Sequence, residues 1–435
     1  MADLLALSSR FIDEDLYEGA FSVNRVNLQL SEVGAGVAMI EAFSHVVAFD
    51  TGEGLVLFDT SLEPFAPAIK SALRGWRDGP LHTIAFTHGH VDHVGGAECF
   101  VAEARERGDA PVTVIGHESL PARFDRYALT NGYNAIINRR QFHALGGGLL
   151  GEGSDGKWGP AVWVRPTTLV DESHVHRVGE LTFEIHHDRG ETDDHLWAWV
   201  PERQALVVGD FVTWVFPNAG NPQKVQRYPR EWAQALRQMM TYEAELLLPA
   251  HGLPVAGKAR VAQVLGDIAT VLESLVEQTL ALMNEGASLN AILHEVQVPA
   301  GLMDRPYLRP VYDEPEFILH NVWRLYGGWY DGNPAHLKPS RDATLAAELA
   351  SLAGGAQKLA ARAREVAETD DLRLACELVE LAAQAVPEDA EVHAARAAIY
   401  GKRRDAELSL MAKGVYGSAA AESQAIADAD PEGAA

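Results

Sequence analysis

The amino-acid sequence predicts an α/β domain of layered strands and helices, followed by an all-α region. Three observations lead to this prediction. Short apolar segments alternate with segments of helical periodicity through the first part of the chain, which is the order expected of an α/β core. From about residue 258 helical periodicity dominates. Several of the short apolar segments end in histidine or aspartate, and functional side chains commonly follow rigid elements in this way.

The elements of the first part follow from polarity and turn residues. Short apolar or alternating runs bounded by Gly, Pro, Asn or Asp predict strands, and runs with a 3.6-residue apolar period predict helices. The segment 117–160 is rich in Gly, Asn and Arg and predicts a long irregular insert, which is either functional or mobile. Strands are predicted at residues 23–30, 46–50, 55–60, 81–87, 111–115, 182–187, 196–200, 205–208 and 246–248, and helices at 67–74, 97–107 and 231–240.

The second part is predicted to be helical. Segments 261–283 and 289–296 have helical periodicity, a Pro- and Tyr-rich stretch follows, and residues 341–413 are rich in the helix formers Ala, Leu, Glu and Arg. A helical hairpin resembling a tetratricopeptide unit is predicted around residues 372–400, but without multiple copies a solenoid is not expected. The predicted organisation is therefore a first domain at 1–260, a helical domain at 261–415, and a disordered, acidic tail at 416–435.

Composition excludes several classes of protein. The chain of 435 residues is 47% hydrophobic and 22% charged, as in ordinary globular proteins, and its net charge is −25. This charge argues against a nucleic-acid or anionic-membrane partner. The two cysteines, Cys99 and Cys376, do not indicate a disulfide framework. Since neither a signal peptide nor a long apolar stretch is recognisable, a cytoplasmic protein is expected.

The most informative motif lies at residues 87–96, directly after an apolar run. It places His88, His90, Asp92 and His93 within six positions. On an extended strand end, His88 and His90 point to the same side, and a helix starting there turns Asp92 and His93 toward a second point. Imidazole and carboxylate suit Zn²⁺ and similar divalent ions. A solvated histidine-rich turn is the alternative, but four such donors after a buried strand favour a site for two metals.

The motif resembles the signature of the metallo-β-lactamase superfamily of metallohydrolases. The resemblance implies an αββα sandwich and further ligands at later strand ends. Asp210, in Val-Val-Gly-Asp, stands where the superfamily places its bridging carboxylate, and His251, in Pro-Ala-His-Gly, matches the last histidine motif. Where many members carry Gly-His-Thr, this chain carries Gly-Glu-Thr. Glu191 is therefore the predicted remaining ligand.

Three histidines near Glu191 are rival candidates. His186 and His187 are possible ligands by proximity, whereas His195 is better suited to orienting a ligand from behind. His174 and His176 fit no motif and are expected on a surface strand.

Glutamate in place of histidine changes the charge of the predicted centre. Two divalent ions, three carboxylates and a hydroxide are formally neutral, whereas a histidine at this position would leave one positive charge. An anionic substrate would then need a nearby arginine. The candidates are Arg139, Arg140, Arg227, Arg230 and Arg324.

Two features resemble the alkylsulfatase branch of the superfamily. That branch binds two zinc ions with a carboxylate in each of the two late motifs, as at Glu191 and Asp210. The segment 316–337, with its Gly-Trp-Tyr-Asp-Gly-Asn-Pro core, resembles the start of the alkylsulfatase dimerisation domain, which implies a homodimer through the C-terminal helices. The resemblance covers residues 20–413. The sterol-carrier-like domain that follows in the long alkylsulfatases is not expected in this sequence, and the residues that the branch uses for sulfate are not clearly matched, so sulfate specificity stays open.

The resemblance implies a binuclear metal-dependent hydrolase in which hydroxide attacks an ester, an alkyl sulfate in the first instance. One Zn²⁺ would be held by His88, His90 and Glu191, and the other by Asp92, His93 and His251, with Asp210 as a bridge. Asp92 and Asp210 are also the predicted catalytic residues. The predicted substrate-binding residues are Arg139, Arg140, Trp214, Asn321, Arg324 and Trp329, with Trp323 as a further candidate for an apolar pocket wall.

Three alternatives remain at this point. The same site could hydrolyse a lactone, thioester or phosphoester. An iron oxidoreductase is a second possibility, although di-iron flavoproteins of this fold usually show HxExD rather than HxHxDH, and a flavin-binding partner domain is not apparent. A binding or scaffold protein built on the helical half is the third.

Overall fold

The structure is a computed structural model, and it describes residues 3–143 and 157–429 of the chain. The chain forms two compact units. The first contains Met1–Ala135 and Gly151–Trp329, and the second contains Ile136–Leu150 and Tyr330–Ala435. Among the described residues, every helix is too short or too polar to cross a membrane.

The first unit contains two β-sheets. In the first sheet the strands lie side by side in chain order, antiparallel from β1 to β4 and parallel from β4 to β7. The strands of this sheet are β1 (Leu30–Gly34), β2 (Val37–Ile40), β3 (Val46–Asp50), β4 (Leu55–Phe58), β5 (Leu81–Ala85), β6 (Thr113–His117) and β7 (Thr168–Val170).

The second sheet follows in sequence. Its spatial order is β13-β12-β11-β10-β9-β8, and the pairs are antiparallel except for β11 with β12. The strands are β8 (Ser173–Val178), β9 (Leu181–His187), β10 (Leu196–Val200), β11 (Ala205–Gly209), β12 (Leu246–Pro249) and β13 (Val255–Ala256).

Helices flank the sheets of the first unit, and α7 begins in this unit and ends in the second. The helices are α1 (Leu4–Asp13), α2 (Ala20–Val23), α3 (Ala66–Trp76), α4 (Val91–Val94), α5 (Ala97–Arg107), α6 (Leu120–Leu129), α7 (Asn131–Gln141), α8 (Pro229–Met240), α9 (Lys258–Asn284), α10 (Leu289–Glu295) and α11 (Pro315–Gly327).

The two faces of the first sheet enter different parts of the core. Side chains alternate along a strand, so Phe49 of β3 packs toward the second sheet, where its ring centroid lies 5.3 Å from that of Phe183 in β9. Its neighbour Ala48 points to the other face, in the cluster that contains Ile69 of α3. The outer face of the second sheet is covered by α8 and α9, as at Trp232. The predicted αββα sandwich is therefore confirmed.

Two predictions for the first unit are wrong. The strand predicted at 23–30 is replaced by the end of α2 and an irregular stretch, because Leu28 has a positive φ of 59° that turns the backbone away from a ladder. Within the predicted irregular insert, residues 120–129 and 131–141 form α6 and α7. Leu120, Phe124 and Tyr127 have helical spacing and bury one face of α6, which explains the helix. Residues 144–156 of the insert lie outside the described residues.

The second unit is helical, as the sequence predicts. The hairpin predicted around 372–400 is present as α15 and α16, whose first turns are capped by Asp371 and Asp389. The helices are α12 (Pro334–Leu337), α13 (Asp342–Ala353), α14 (Ala356–Ala367), α15 (Leu372–Ala385), α16 (Ala390–Ala406) and α17 (Leu410–Ala427).

The predicted boundaries differ from the observed ones in two places. Helices α9 to α11 belong to the first compact unit, so the change of unit falls at Trp329 rather than at residue 260. The tail predicted to be disordered from residue 416 is helical as far as Ala427. Small residues allow α17 to pack closely: a Cβ at Gly414 would lie 1.9 Å from the Gln141 carbonyl oxygen of the same unit. Low hydrophobicity was therefore a misleading sign of disorder here.

Candidate metal centre

The sequence motif folds as a strand end followed by a single helical turn. β5 leads into a loop that carries His88 and His90, and α4 then carries Asp92 and His93. The loop is anchored from behind, because the Asp59 carboxylate accepts hydrogen bonds from the Thr87 N–H and Oγ1, both at 2.7 Å. The backbone therefore places His88 and His90 on an extended segment and Asp92 and His93 on the following helical turn, as the sequence predicts.

Three further side chains reach the same place from the second sheet. Glu191 lies in the loop between β9 and β10, Asp210 follows β11, and His251 follows β12. Because β11 and β12 are parallel neighbours, their carboxyl ends meet at one edge, which brings Asp210 and His251 together.

Among the residues that the structure describes, two clusters of metal-type side chains are found. One contains His88, His90, Glu191 and Asp210, and the other contains Asp92, His93 and His251; within each, the ligand atoms lie within 4.8 Å of one another. The seven residues are the ones predicted from sequence.

Asp210 lies between the two clusters. Its Oδ2 is 3.9 Å from Nε2 of His88 and 3.5 Å from Nε2 of His93, and its Oδ1 is 3.5 Å from Nε2 of His251. In the first cluster, Nδ1 of His90 is 3.5 Å from Oε1 of Glu191. One carboxylate thus faces both groups, which is the geometry expected of a bridge.

Unpartnered atoms show that these residues fit a cation. Nε2 of His93, Oε2 of Glu191 and Oδ1 of Asp210 are buried, and each is without a hydrogen-bond partner among the described residues. Buried polar atoms are nearly always satisfied, and each exception calls for an explanation. Lone pairs on nitrogen and oxygen that converge in one hollow are explained by ions such as Zn²⁺.

Burial and neighbouring charges shift the pKa values of the cluster residues in different directions. Burial lowers the pKa of His88 and of His90 well below its ordinary value, which keeps both imidazoles in the neutral form that binds metals. Burial also raises the pKa of Glu191 well above its ordinary value. Burial acts against the charged form of Asp210, yet His93 and His251 hold its pKa well below the usual range.

His93 is oriented by a residue that sequence reasoning missed. Oδ2 of Asp59 lies 2.7 Å from Nδ1 of His93, and Oγ of Ser44 lies 3.2 Å from the same nitrogen. These contacts leave Nε2 to face the centre, which is how carboxylates commonly orient metal-binding histidines. The available signal was position, since Asp59 directly follows a buried strand.

A second orienting group holds the loop of His251. The His45 N–H donates to the carbonyl of Ala250 at 2.6 Å, and its Nε2 donates to the carbonyl of Gly252 at 2.8 Å. Nδ1 of His45 accepts from the Ala42 N–H, so the ring is held as a neutral tautomer, and burial lowers its pKa to about 3.

Glu191 is held by two buried side chains. The Arg227 guanidinium donates to the Glu191 carbonyl and lies 3.1 Å from Oε1. The Asn218 amide donates to the same Oε1. Arg227 was one of five arginine candidates, whereas Asn218 was missed because it belongs to no motif.

Two more groups near the ligands were missed. Burial lowers the pKa of Lys224 to about 7, and the charge of Arg227 acts in the same direction, whereas Asp92 and Glu191 oppose it. Burial raises the pKa of Tyr312, and Glu191 is among the charges that act on it. Neither residue lies in a recognisable sequence pattern.

The rival histidines lie outside both clusters. Nε2 of His195 accepts from the Asp210 N–H at 3.2 Å, which is the orienting role proposed for it. His186 stacks on Trp197, and His187 stacks on His117. His174 and His176 lie on β8.

The six predicted substrate-binding residues fall in different places. Trp214 is fully buried and its Nε1 donates to the Leu253 carbonyl, so it packs in the core, and its role in substrate binding stays a prediction. Trp329 is 70% exposed.

Asn321 and Arg324 lie on α11, where Arg324 NH2 donates to the Asn321 Oδ1 at 3.1 Å and its Nε donates to Gln226. Arg139 and Arg140 lie in the part of α7 that belongs to the second unit. A role for these four residues in substrate binding stays a prediction.

The comparisons with known proteins agree with this geometry. Residues 40–251 match the family model of the metallo-beta-lactamase superfamily, and residues 288–425 match the family model for alkyl sulfatase dimerisation. A linear primary-alkylsulfatase of Pseudomonas sp. is 27% identical over 78% of this chain and 65% of its own length. The alkyl/aryl-sulfatase BDS1 of Saccharomyces cerevisiae is 25% identical over 81% of this chain and 56% of its own length.

Solved structures show the same fold. The inverting sec-alkylsulfatase Pisa1 from Pseudomonas sp. superposes with a TM-score of 0.78 at 22% identity, covering 93% of this chain and 66% of that one. A double mutant of the same enzyme gives a TM-score of 0.81. The chain spans less than two thirds of the length of the curated relatives it matches. According to the two family models, this chain combines a metallo-β-lactamase superfamily domain with an alkylsulfatase dimerisation domain, and the curated relatives that it matches are alkylsulfatases.

Proposed function

We propose that this protein is a binuclear metal-dependent hydrolase that cleaves alkyl sulfate esters. The observation that carries the proposal is the position of Asp210, which belongs to the cluster of His88, His90 and Glu191 and whose carboxylate oxygens also lie 3.5 Å from His93 and His251 of the other cluster. A site for a single ion would not need one carboxylate to contact both groups. Zn²⁺ is the metal that the nitrogen and oxygen donors favour.

Each residue of the centre has a role in this proposal. His88, His90 and Glu191 hold one ion, Asp92, His93 and His251 hold the other, and Asp210 contacts both. Such ions, when bound, lower the pKa of water and polarise an ester oxygen. Asp59 and His195 fix the orientation of the ligands.

The charge around the centre supports an anionic substrate. Glu191 removes the positive charge that a histidine would have left, but the buried guanidinium of Arg227 lies 3.1 Å from its carboxylate and restores it. A sulfate ester carries one negative charge. The related proteins are named linear primary-alkylsulfatase, alkyl/aryl-sulfatase and (R)-specific secondary-alkylsulfatase.

A homodimer is part of the proposal. Leu345, Leu349 and Leu352 lie on α13 at helical spacing and are 49%, 36% and 77% exposed. An exposed apolar stripe of this kind marks an interaction surface. The segment belongs to the alkyl sulfatase dimerisation model, and a second copy of the chain is the partner that we propose.

Metal content and hydrolysis test the function together. The purified protein is analysed for bound metals and assayed with alkyl sulfates of varied chain length, beside a lactone, a thioester and a phosphoester. We expect two divalent ions per chain and turnover of the alkyl sulfates. His90→Ala and Asp210→Ala should lose metal and activity, whereas His174→Ala, on β8 outside both clusters, should retain both.

Two results would count against the proposal. A protein that retains less than one tightly bound divalent ion per chain would contradict the metal centre. If the protein hydrolyses another ester but none of the alkyl sulfates, it is still a hydrolase, but the proposed substrate class is wrong.

A further inference from the structure

The loop that holds Glu191 is itself held by a helix from the other family segment. Residues 210–228 join β11 to α8 and carry both Asn218 and Arg227. This loop lies within the metallo-beta-lactamase match at 40–251, whereas α11 lies within the alkyl sulfatase dimerisation match at 288–425. Both belong to the same compact unit.

Asn321 makes most of the contacts from α11. Its buried amide donates to the carbonyls of Ala219 and Arg227, at 2.8 and 2.9 Å, and its Oδ1 accepts from Gln226 Nε2 at 3.0 Å and from Arg324 at 3.1 Å. One side chain thus fixes the backbone on both sides of the loop, next to the two residues that bind Glu191.

Asp313, just before α11, fixes the middle of the same loop. Its Oδ2 accepts from the N–H groups of Gly220 and Asn221, at 2.7 and 3.1 Å. The contact is close, because a Cβ at Gly220 would lie 2.5 Å from the backbone of Phe317. The loop therefore has little freedom to move away from α11.

We propose that Asn321 is a positioning residue for the metal centre, acting through Arg227 on Glu191. The inference rests on the proposed metal centre. Arg227 and Asn218 contact Oε1 of Glu191, which also lies 3.5 Å from Nδ1 of His90, and Oε2 is buried without a hydrogen-bond partner among the described residues. These contacts fix the direction of the carboxylate within its cluster. If the backbone of Arg227 shifts, its guanidinium loses its contacts with the carbonyl and with Oε1 of Glu191. The Glu191 side chain then loses its fixed direction.

This chain of contacts from Asn321 through Arg227 to Glu191 predicts that a change at Asn321 lowers the metal affinity of one position only. Glu191 belongs to the cluster with His88 and His90, whereas the cluster of His93 and His251 is oriented by Asp59 and His45. Loss of an orienting partner behind a ligand commonly lowers metal affinity about 10- to 100-fold. A general loss of structure would instead weaken both positions alike.

The zinc affinity of the full chain tests this role of Asn321 directly. The metal-free protein is titrated with Zn²⁺ in competition with a chromophoric chelator, and the two equivalents are assigned with His90→Ala and His251→Ala. In Asn321→Ala and in Arg227→Lys, which keeps the charge but loses the forked geometry, we expect the equivalent lost in His90→Ala to weaken about 10-fold or more. The other equivalent should change less than about threefold.

Matched controls lie close by on the same elements. His320→Ala changes the exposed neighbour of Asn321 on α11, and Arg230→Lys changes an exposed arginine at the start of α8. Both should bind Zn²⁺ as the unaltered protein does. Equal loss at both positions, or unchanged affinity at the first, would overturn the inference. If Asn321→Ala does not fold, Arg227→Lys decides by the same criterion. If the unaltered protein fails to bind two ions, it is the proposed function that fails.

Discussion

Oδ2 of Asp59 lies 2.7 Å from Nδ1 of His93, and the opposite ring nitrogen faces the carboxylates of Asp92 and Asp210, each at 3.5 Å. Asp59 is 1% exposed and comes from the end of β4, on the strand next to the one that leads to His93. The orientation of one predicted ligand therefore depends on a neighbouring strand.

Replacing Asp59 by Ala should weaken the second metal position. The His93 ring would lose the partner that fixes its direction, and we expect metal affinity or activity to fall about 10- to 100-fold. Zinc titration and the rate of alkyl sulfate hydrolysis measure the effect. Asp50→Ala is the control, because Asp50 also ends a strand but binds Arg77 at the surface. Equal losses in both variants would contradict the orienting role.

His45 should make stability depend on pH. In the unfolded chain it takes up a proton near its ordinary pKa of 6.5, whereas burial keeps the folded form neutral down to a pH of about 3. The unfolded state therefore binds more protons in this range, so the free energy of unfolding should fall as the pH is lowered from 6.5. The loss is about 1.4 kcal/mol per pH unit.

His45→Gln keeps an amide donor and acceptor but does not titrate. Denaturant unfolding at pH 7, 6, 5 and 4 should show a smaller decline for this variant than for the unaltered protein. The same comparison with His174→Gln, on β8, should show a smaller difference. Parallel curves for the unaltered protein and His45→Gln would refute the assignment.

Gly220→Ala should destabilise the first unit. The added Cβ would meet the backbone and Cβ of Phe317 at 2.5 Å, and backbone cannot move aside cheaply. Overpacking of this kind costs about 1 to 3 kcal/mol, measurable by denaturant unfolding. Gly75→Ala, on α3, is the control because a Cβ there would meet open space. If Gly220→Ala is as stable as the control, the close contact with α11 is not present in solution.

Leu352→Glu should disrupt the proposed dimer. Leu352 is 77% exposed, and a buried carboxylate at the centre of an interface carries a large desolvation cost. Light scattering coupled to size-exclusion chromatography should show a lower mass at micromolar concentration. Leu408→Glu is the control, since Leu408 is 64% exposed on a different segment. Unchanged mass for Leu352→Glu would indicate that another surface forms the dimer.

The parts of the centre that sequence predicted are those written in local patterns. His88 to His93 share one short segment, whereas Glu191, Asp210 and His251 were predicted because their local motifs resemble those of the superfamily. Asp59, Asn218 and Asn321 were not predicted as supports, because the residues that they contact lie far away in sequence.

The fold shows the same limit. Alternation and helical periodicity indicated both sheets and most helices, since these depend on neighbouring residues. They could not indicate that Leu28 takes a positive φ, nor that α11 belongs with the first unit. Both depend on contacts that form only when distant segments meet.

The same convergence determines when ions can be acquired. The first sheet contributes the histidines and aspartate of the motif, and the second contributes Glu191, Asp210 and His251. Three of the seven predicted ligands are thus missing until synthesis has passed His251 and the two sheets have docked. Loading is a late event that follows collapse, and a chelator present during refolding should yield native-like sheets with a vacant centre.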